Sequence, residues 1–293
     1  MSLINTPLCV LIRNSVIACS VPRMMTTRHN SYMAPFKESL KSSKNVVFIT
    51  GDDISTESGV PIYGKSSFWR KYLTSSLATS GAFLTFPSLV WEFYHYRRET
   101  AAKADPNEAH KAIALFEEKH GKDKSITVIT QGVDGLHSRA NIKNLIELHG
   151  SLFKTRCIKC NDIMTNNDHP ICEALANKGS PDSTATNSDI PENLLPHCNK
   201  SGCGGLLRPN IVWYGESLDP SLIKKAEAAI SVCDLCIVVG SPSMLFPAAH
   251  YAPEAMANGA ITAEFNNDTD TNSNFHYSFV GPCSTTLPEA LDI

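Results

Sequence analysis

The sequence predicts an α/β fold built on a doubly wound parallel sheet. Six short runs rich in apolar and β-branched residues are typical of buried strands, and helical patterns lie between them. Four of the runs pass directly into polar turns, as parallel strands do at a ligand-binding edge. The alternation indicates a Rossmann-like sheet. The predicted strands are 46–50, 125–130, 144–148, 235–239, 260–265 and 276–280, and the predicted helices include 107–120, 220–230 and 247–258.

Length and composition exclude several classes of protein. The 293 residues are 42% hydrophobic and 19% charged, which excludes an intrinsically disordered chain. The chain contains no run of eighteen apolar residues, so we expect no transmembrane helix. The net charge of −3 argues against a nucleic-acid binder that works by bulk charge. Ten cysteines are too few for a disulfide scaffold and enough for a metal site.

The charge is unevenly distributed along the chain. Residues 1–37 contain four basic residues and no acidic one. An acid-free segment with arginines is typical of a mitochondrial transit peptide, so we predict a leader over 1–36, with a disordered tail as the alternative. When those four bases are taken from the total of 26, residues 38–293 keep 22 basic against 29 acidic residues, a net charge of −7. The predicted location is the mitochondrial matrix, with the cytosol and nucleus as further compartments.

Two stretches interrupt the alternation of strands and helices. Residues 63–104 are largely helical in pattern and rich in aromatic residues, and residues 151–212 contain five cysteines. Both return to the sheet pattern, so we predict that they form a smaller helical and zinc-binding lobe. The catalytic domain is then 37–293, and its Rossmann-like lobe comprises 37–62, 105–150 and 213–293.

Two cysteine pairs in the second insertion predict a structural zinc site. Each pair can place two thiolates on a tight turn, and four thiolates close a tetrahedral shell around one ion. Cys172 lies between the pairs and remains a rival ligand. Cys233 and Cys236 are also spaced CxxC, but they flank and enter a strand and are predicted to be buried thiols. The four predicted zinc ligands are Cys157, Cys160, Cys198 and Cys203.

Seven motifs follow one another in the predicted turns and in the second insertion. They are Gly-Asp-Asp-Ile-Ser at 51–55 with Glu-Ser-Gly-Val-Pro at 57–61, Gln-Gly-Val-Asp at 131–134, Leu-His-Gly at 148–150, the cysteine pairs, Trp-Tyr-Gly-Glu at 213–216, Gly-Ser-Pro-Ser at 240–243 and Phe-Asn at 265–266. Their order and strand context resemble the sirtuin family over about residues 40 to 290. The resemblance implies removal of acyl groups from protein lysines at the expense of NAD, with release of nicotinamide and O-acyl-ADP-ribose.

The same resemblance assigns roles to individual residues. His149 would be the general base, and an imidazole suits that task because it titrates near the working pH. Asp134 would bind the nicotinamide carboxamide, Gln131 the ribose and Asn266 the adenosine ribose. The full set of predicted cofactor-binding residues is Gly51, Asp52, Asp53, Ser55, Glu57, Tyr63, Trp69, Gln131, Gly132, Val133, Asp134, Gly240, Ser241, Pro242, Asn266, Asn267, Asp268 and Cys283.

A narrower resemblance concerns the acyl group. Residues 90–98, Val-Trp-Glu-Phe-Tyr-His-Tyr-Arg-Arg, resemble a helix of the sirtuin-five type, which removes succinyl, malonyl and glutaryl groups. Tyr94 and Arg97 share a helix face, so Arg97 can pair with a distal carboxylate while Tyr94 adds a hydroxyl donor. The alternative is that this helix face is basic and simply exposed to solvent, since Arg98 is adjacent to Arg97. The predicted substrate-binding residues are Ala78, which leaves room for the acyl chain, Tyr94, Arg97, Trp213, Tyr214, Gly215 and Glu216.

Four departures from the family pattern all lie on the cofactor side. The family's Gly-Ala-Gly is Gly-Asp-Asp at 51–53, where Asp53 adds bulk and negative charge beside an anionic ligand. Where the family has Thr-Phe-Arg-Gly, this chain has Ile-Tyr-Gly at 62–64, so the family's arginine is missing. Lys65 can supply a positive charge there but not the paired N–H donors of a guanidinium. Gly132 replaces an asparagine, and Pro242 replaces a serine and removes an amide donor.

Two hypotheses follow for the function. The first is an NAD-dependent lysine desuccinylase, demalonylase and deglutarylase, which the catalytic base and the acyl-pocket residues favour. The second is a catalytically weak or inactive sirtuin-like protein that binds acidic acyl-lysine. A zinc-ribbon nucleic-acid module is a third idea, against which the net charge of −7 argues. The expected cofactors are NAD and one structural Zn²⁺, and the expected partners are acylated lysines of proteins. We predict a monomer with neither nucleic-acid nor membrane partners.

Overall fold

A computed structural model describes residues 32–64, 66–240, 245–267 and 274–293. Its strands are β1 (Asn45–Thr50), β2 (Phe68–Trp69), β3 (Tyr72–Leu73), β4 (Ser125–Thr130), β5 (Leu145–Glu147), β6 (Gly150–Cys157), β7 (Ile163–Thr165), β8 (Leu207–Ile211), β9 (Leu235–Val239), β10 (Ile261–Asn266) and β11 (Tyr277–Val280). Its helices are α1 (Met33–Ser42), α2 (Thr74–Leu77), α3 (Ser80–Thr85), α4 (Pro87–Lys103), α5 (Glu108–His120), α6 (Leu136–Arg139), α7 (Pro220–Val232), α8 (Ala248–Ala257) and α9 (Cys283–Leu291). A 3-10 helix, Asp52–Ser58, follows β1.

Six strands form one parallel sheet in the order β11-β10-β9-β1-β4-β5. Each of the six predicted strands is present, and the predicted doubly wound fold is confirmed. Five of the six residues of β1 are buried, because helices cover both faces of the sheet. Helices α1, α5 and α9 pack on one face around Phe36 and Phe116, and α7 and α8 pack on the other around Ile230 and Ala255.

The strand order reverses between β1 and β9, which places a crevice at their carboxyl ends. The Gly51 amide donates to Val239 O at 3.2 Å, and the Gly240 amide donates to Phe265 O at 2.9 Å. Gly240 has φ 58°, and a Cβ on it would lie 2.5 Å from the Ile54 backbone nitrogen. The loops after β1 and β9 therefore touch backbone to backbone, which requires a glycine here.

A small lobe contains helices α2 to α4, the hairpin β2–β3 and the antiparallel sheet β7-β6-β8. The helical stretch and the cysteine-bearing stretch share one apolar core, to which Trp91, Phe93, Leu152 and Trp213 contribute. The Trp91 indole nitrogen donates to Leu207 O at 2.9 Å and joins α4 to β8. The two interruptions of the sequence pattern thus pack on each other as well as on the sheet.

The amino-terminal helix α1 and the last helix α9 have no counterpart among the predicted elements. Residues 33–36 of the predicted leader belong to α1, where Phe36 is fully buried against Phe265 and Phe279. The rest of the leader up to residue 31, with Cys9 and Cys19, lies outside the described residues. Among the helices that the structure describes, none combines the length and the apolar character that a bilayer crossing requires.

Candidate active site

The predicted base His149 follows Leu148, the residue after β5, at the carboxyl edge of the sheet. His149 Nδ1 lies 3.3 Å from Gln131 O. A carbonyl oxygen only accepts hydrogen bonds, so Nδ1 carries the proton and Nε2 keeps its lone pair. The end of β4 therefore selects the tautomer in which Nε2 can act as a base.

The surroundings of His149 keep its imidazole neutral. Burial lowers the pKa of His149 because the charged ring would lose hydration, and the hydrogen bond to Gln131 O raises it by a smaller amount. The neutral form with a free Nε2 is thus the major form at physiological pH. A group in that state can accept a proton during turnover.

A narrow recess, with room for about one water molecule, opens where α4 meets the sheet edge. We call it the Arg97 recess. The charged residues that line it are Arg97, Asp52 and Asp134. Sequence reasoning did not single out several of its apolar lining residues, because they come from four separate segments. The lining consists of Asp52, Val60, Pro61, Tyr63, Arg97, Thr100, Val133, Asp134 and Leu152.

Asp52 and Asp134 approach each other beside Gly132. A Cβ on Gly132 would lie 3.9 Å from Asp52 Oδ1 and 3.6 Å from Asp134 Oδ2. Asp52 is a solvent-exposed residue, and the protein atoms packed around its carboxyl group displace part of its hydration. This burial raises the pKa of Asp52 to about 6; Arg97 opposes the rise, and Asp134 and Asp53 add to it.

The predicted acyl-binding residues lie together along one face of α4. The Trp213 indole nitrogen donates to the Tyr94 hydroxyl at 2.8 Å, and the Tyr214 amide donates to Ala78 O at 3.0 Å. The Arg97 guanidinium carbon is 5.5 Å from the centre of the Tyr94 ring and 5.2 Å from that of Tyr63. The structure therefore joins four segments that are far apart in sequence into one surface.

Arg98, which adjoins Arg97, does not belong to this surface. Its guanidinium is buried and donates to Leu152 O at 2.8 Å and to Asn166 Oδ1 at 2.7 Å. Two successive arginines on α4 thus have opposite environments, since Arg98 fixes loops and Arg97 faces the recess.

The loop at 213–216 is held by an ion pair that the sequence did not reveal. Arg208 Nη2 lies 2.9 Å from Glu216 Oε2, and the Trp213 amide donates to the same oxygen at 2.9 Å. Burial would raise the pKa of Glu216, but hydrogen bonds from Arg208, Ser80 and Trp213 outweigh it and lower the pKa to about 2. Glu216 thus orients Trp213, and its negative charge is paired within the protein.

The predicted cofactor residues divide into those at the crevice and those away from it. Gly51, Gly240 and Asn266 lie at strand ends around the switch point, and Cys283 begins α9 beside them with its thiol 3.5 Å from Phe265 O. Glu57 accepts hydrogen bonds from the Ser284 amide and hydroxyl. The other described members of the predicted cofactor set include Asp53, Ser55, Val133 and the exposed Asn267, while Gly215 of the predicted substrate set is exposed as well.

Trp69 is placed differently from the other predicted cofactor residues. It is 1% exposed and packs in the small-lobe core against Phe93, with the Arg70 guanidinium 4.2 Å from its ring centre. The predictions at Lys65, Ser241, Pro242 and Asp268 lie outside the described residues.

The crevice fits a dinucleotide in its described parts. Parallel strands of the large sheet end at it, and Gly240 has no side chain between the loops after β1 and β9. Gln131 Nε2 donates to Leu245 O at 3.0 Å and so joins the β4 and β9 turns. NAD would be held by the turns that carry Gly51, Gln131 and Gly240.

The four predicted cysteines form one cluster, with all sulfur atoms within 4.8 Å of one another. The sulfurs of Cys157 and Cys203 are 3.5 Å apart, and those of Cys160 and Cys198 are 3.8 Å apart. A tetrahedral shell with zinc–sulfur distances of about 2.3 Å has sulfur–sulfur edges of about 3.8 Å. The cluster therefore fits one structural Zn²⁺, and Cys172 is not part of it.

We expect Cys203→Ser to abolish stoichiometric zinc binding and to lower the thermal midpoint by on the order of 10 °C, since a structural zinc contributes directly to folding. Bound zinc and thermal unfolding would be measured together. The matched control is Cys172→Ser, which should keep both the metal and the midpoint. Zinc retained by Cys203→Ser, or lost from Cys172→Ser, would show that the ligand set is wrong.

Comparison with known proteins agrees with this geometry. The model of the Sir2 family matches residues 51–247. The chain is 49% identical to an NAD-dependent protein deacylase sirtuin-5, mitochondrial, of Canis lupus familiaris over 90% of this chain and 86% of that protein. It is 50% identical to an NAD-dependent protein deacylase of Daphnia pulex, over 89% and 97% of the two chains.

Solved structures show the same likeness. A crystal structure of a Sir2 homologue–NAD complex superposes with a TM-score of 0.74 at 34% identity, covering 91% of this chain and 95% of that one. A structure described as Sir2–p53 peptide–NAD⁺ gives a TM-score of 0.70 at 28% identity, covering 89% and 97%. The resemblance based on seven short motifs is thereby confirmed over 90% of the chain. The chain belongs to the Sir2 family, the sirtuins.

Proposed function

We propose that this protein, a sirtuin-5-like NAD-dependent protein deacylase, removes succinyl, malonyl and glutaryl groups from protein lysines. The observation that carries the proposal is the state of Arg97. Within the described residues, no carboxylate comes within 4.0 Å of its guanidinium. A half-buried cation among aromatic rings and without an ion-pair partner favours a substrate that brings an anion.

The neighbours of Arg97 support a carboxylate rather than another anion-bearing group. A guanidinium presents two parallel N–H donors, which match the two oxygens of a carboxylate. The Tyr94 hydroxyl accepts its hydrogen bond from Trp213, so its own proton is available to donate to the ligand. Burial raises the pKa of Tyr94, which keeps that proton in place over the physiological range.

The rest of the site supports deacylation. NAD, when bound, supplies the electrophilic ribose carbon that accepts the acyl oxygen of the substrate. His149 Nε2 is the proposed proton acceptor for a ribose hydroxyl, because Nδ1 is committed to Gln131 O. Asp134 accepts the Leu136 amide at 2.8 Å through Oδ1, which leaves Oδ2 facing the recess as the proposed contact of nicotinamide.

The proposed setting is the mitochondrion. Relatives from dog, Xenopus laevis and Danio rerio carry "mitochondrial" in their names. The basic, acid-free segment ahead of the catalytic domain agrees with that location. We propose a monomer that acts on acylated lysines of proteins, with a leader that ends before α1 rather than at residue 36, because Phe36 is buried in the core of the catalytic domain.

The test is nicotinamide release from NAD with matched succinyl-lysine and acetyl-lysine peptides. We expect turnover of the succinyl peptide and poor turnover of the acetyl peptide. Arg97→Gln should lower kcat/KM for the succinyl peptide by about 10- to 100-fold, the worth of a charge-assisted hydrogen bond, and should spare the acetyl peptide.

Arg97→Lys is the matched variant, because it keeps the positive charge and loses the two parallel N–H donors of the guanidinium. Its kcat/KM for the succinyl peptide should lie between those of the unmodified protein and of Arg97→Gln. Equal turnover of both peptides by the unmodified protein would overturn the acidic-acyl proposal. Peptide binding without any nicotinamide release at millimolar NAD would instead establish the catalytically inactive alternative.

A further inference from the structure

Asp52 and Arg97 both line the Arg97 recess, although 45 positions separate them in the sequence. Asp52 begins the 3-10 helix after β1, and Arg97 lies in the third turn of α4. The Arg97 charge stabilises the ionised form of Asp52, so the two groups interact across the recess. They remain more than 4.0 Å apart, so they do not form a closed ion pair.

A substrate carboxylate that reaches Arg97 therefore enters a space that already contains two carboxylates. Asp134 is the second, and its Oδ2 lies on the same side of the recess as Asp52 Oδ1. Like charges in a partly dehydrated recess repel more strongly than in water, because the effective dielectric constant is lower. One guanidinium then has to offset three anions when the substrate is bound.

We propose that Asp52 is a specificity-determining residue, whose ionised carboxylate opposes the distal carboxylate of the acyl group at Arg97 and whose protonation admits it. The inference rests on the proposed function, since it presumes that Arg97 binds an acidic acyl group. The chain would then bind succinyl-lysine weakly when Asp52 is charged and tightly when Asp52 is neutral.

The groups that face Asp52 come from each element around the recess. They are Arg97 on α4, Asp134 after β4, Asp53 on the same 3-10 helix, and Tyr214 after β8. Since the pKa of Asp52 is about 6, its charge changes in a range where Arg97 and a substrate carboxylate keep theirs. Binding and protonation are reciprocally linked, so each pKa unit by which the bound acyl group raises the pKa of Asp52 corresponds to a tenfold gain in affinity on protonation.

The experiment compares peptide affinity by calorimetry, without NAD, for the full chain and for Asp52→Asn. Two peptides are used, one with succinyl-lysine and one with succinamoyl-lysine, in which a terminal amide replaces the carboxylate. At about pH 8, Asp52→Asn should bind the succinyl peptide about tenfold more tightly than the unmodified chain and the succinamoyl peptide equally well. At about pH 5.5, where Asp52 is mostly protonated, the gain should largely disappear.

Asp105→Asn is the charge-matched control. It removes the same charge from an exposed aspartate that pairs with Arg139 on the surface, and it should leave both affinities unchanged. A tenfold gain that appears equally with the succinamoyl peptide would show that Asp52 does not act on the distal carboxylate and would overturn the inference. A pH-independent gain, or no gain with Asp52→Asn, would overturn it as well and would leave the proposed function standing.

The proposed function fails in a different way in the same experiment. If the unmodified chain and Asp52→Asn both bind succinamoyl-lysine as tightly as succinyl-lysine at every pH, then Arg97 does not recognise the carboxylate of the acyl group. In that case the inference about Asp52 is overturned together with the proposed function.

Discussion

His149→Ala should lower the rate of peptide deacylation by about 10²- to 10⁴-fold, the usual contribution of a positioned general base. The reason is geometric, since Nδ1 is fixed on Gln131 O and only Nε2 is free to take a proton. KM for the acyl peptide should change little, because His149 lies outside the lining of the Arg97 recess. Deacylated peptide would be quantified by mass spectrometry.

The matched control is His169→Ala, which removes an imidazole that contacts Glu99 on the surface of the small lobe. That variant should keep the full rate. In the unmodified chain, burial lowers the pKa of His149, so the rate should persist as the pH falls to the ordinary histidine value and decline only below it. A His149→Ala rate within tenfold of the original would refute the assignment of the base.

Glu92→Gln should destabilise the protein by about 3–5 kcal/mol, because it leaves the buried Arg70 guanidinium without its counter-charge. The pair lies at 2.9 Å, with side-chain exposures of 3% for Arg70 and 0% for Glu92. Arg70 also donates to Ser180 O, and Glu92 accepts the Ser188 amide, so the pair fastens the loop at 177–193 to α4. The thermal midpoint should fall by about 2–4 °C for each kcal/mol lost.

The control for this prediction is Glu38→Gln, which breaks the exposed ion pair with Lys41 by the same chemical change. Surface pairs contribute about 0–1 kcal/mol, so the midpoint should hardly move. The double variant Arg70→Met with Glu92→Leu should recover much of the loss, since it leaves no unpaired buried charge. A Glu92→Gln midpoint as high as that of Glu38→Gln would contradict the account.

The strands of the large sheet were predictable because their burial is nearly continuous. β1, β4 and β9 carry unbroken apolar or β-branched runs that end at a glycine or a polar turn, which is the pattern of a strand covered on both faces. Helix α9 was not predictable in this way. It contains Pro288 and opens with a Ser-Thr-Thr segment, and it forms because Leu287 and Leu291 are buried against α5 and the sheet.

The candidate site was predictable where a motif is local and unpredictable where a contact is distant. The cysteine cluster, His149 and the Tyr94–Arg97 helix face each follow from short spacings. The pairing of Arg70 with Glu92 and the approach of Asp52 to Arg97 depend on how separate segments pack, and sequence separation does not encode that. The sequence drew attention to Asp53 beside the cofactor, and the structure adds its neighbour Asp52 in the Arg97 recess.

The hydrogen bond from Trp91 to Leu207 O joins the helix that carries Arg97 to the strand that follows the cysteine cluster. Trp91 and Arg97 lie on the same helix, and Leu207 begins β8 four residues after Cys203. Strand β6 likewise begins at Gly150, next to His149 at the crevice, and ends at Cys157 of the cysteine cluster. We therefore expect metal depletion to disturb the helix that carries Arg97 and the strand that begins beside His149 together, so that peptide binding and the catalytic rate should fall at the same loss of metal.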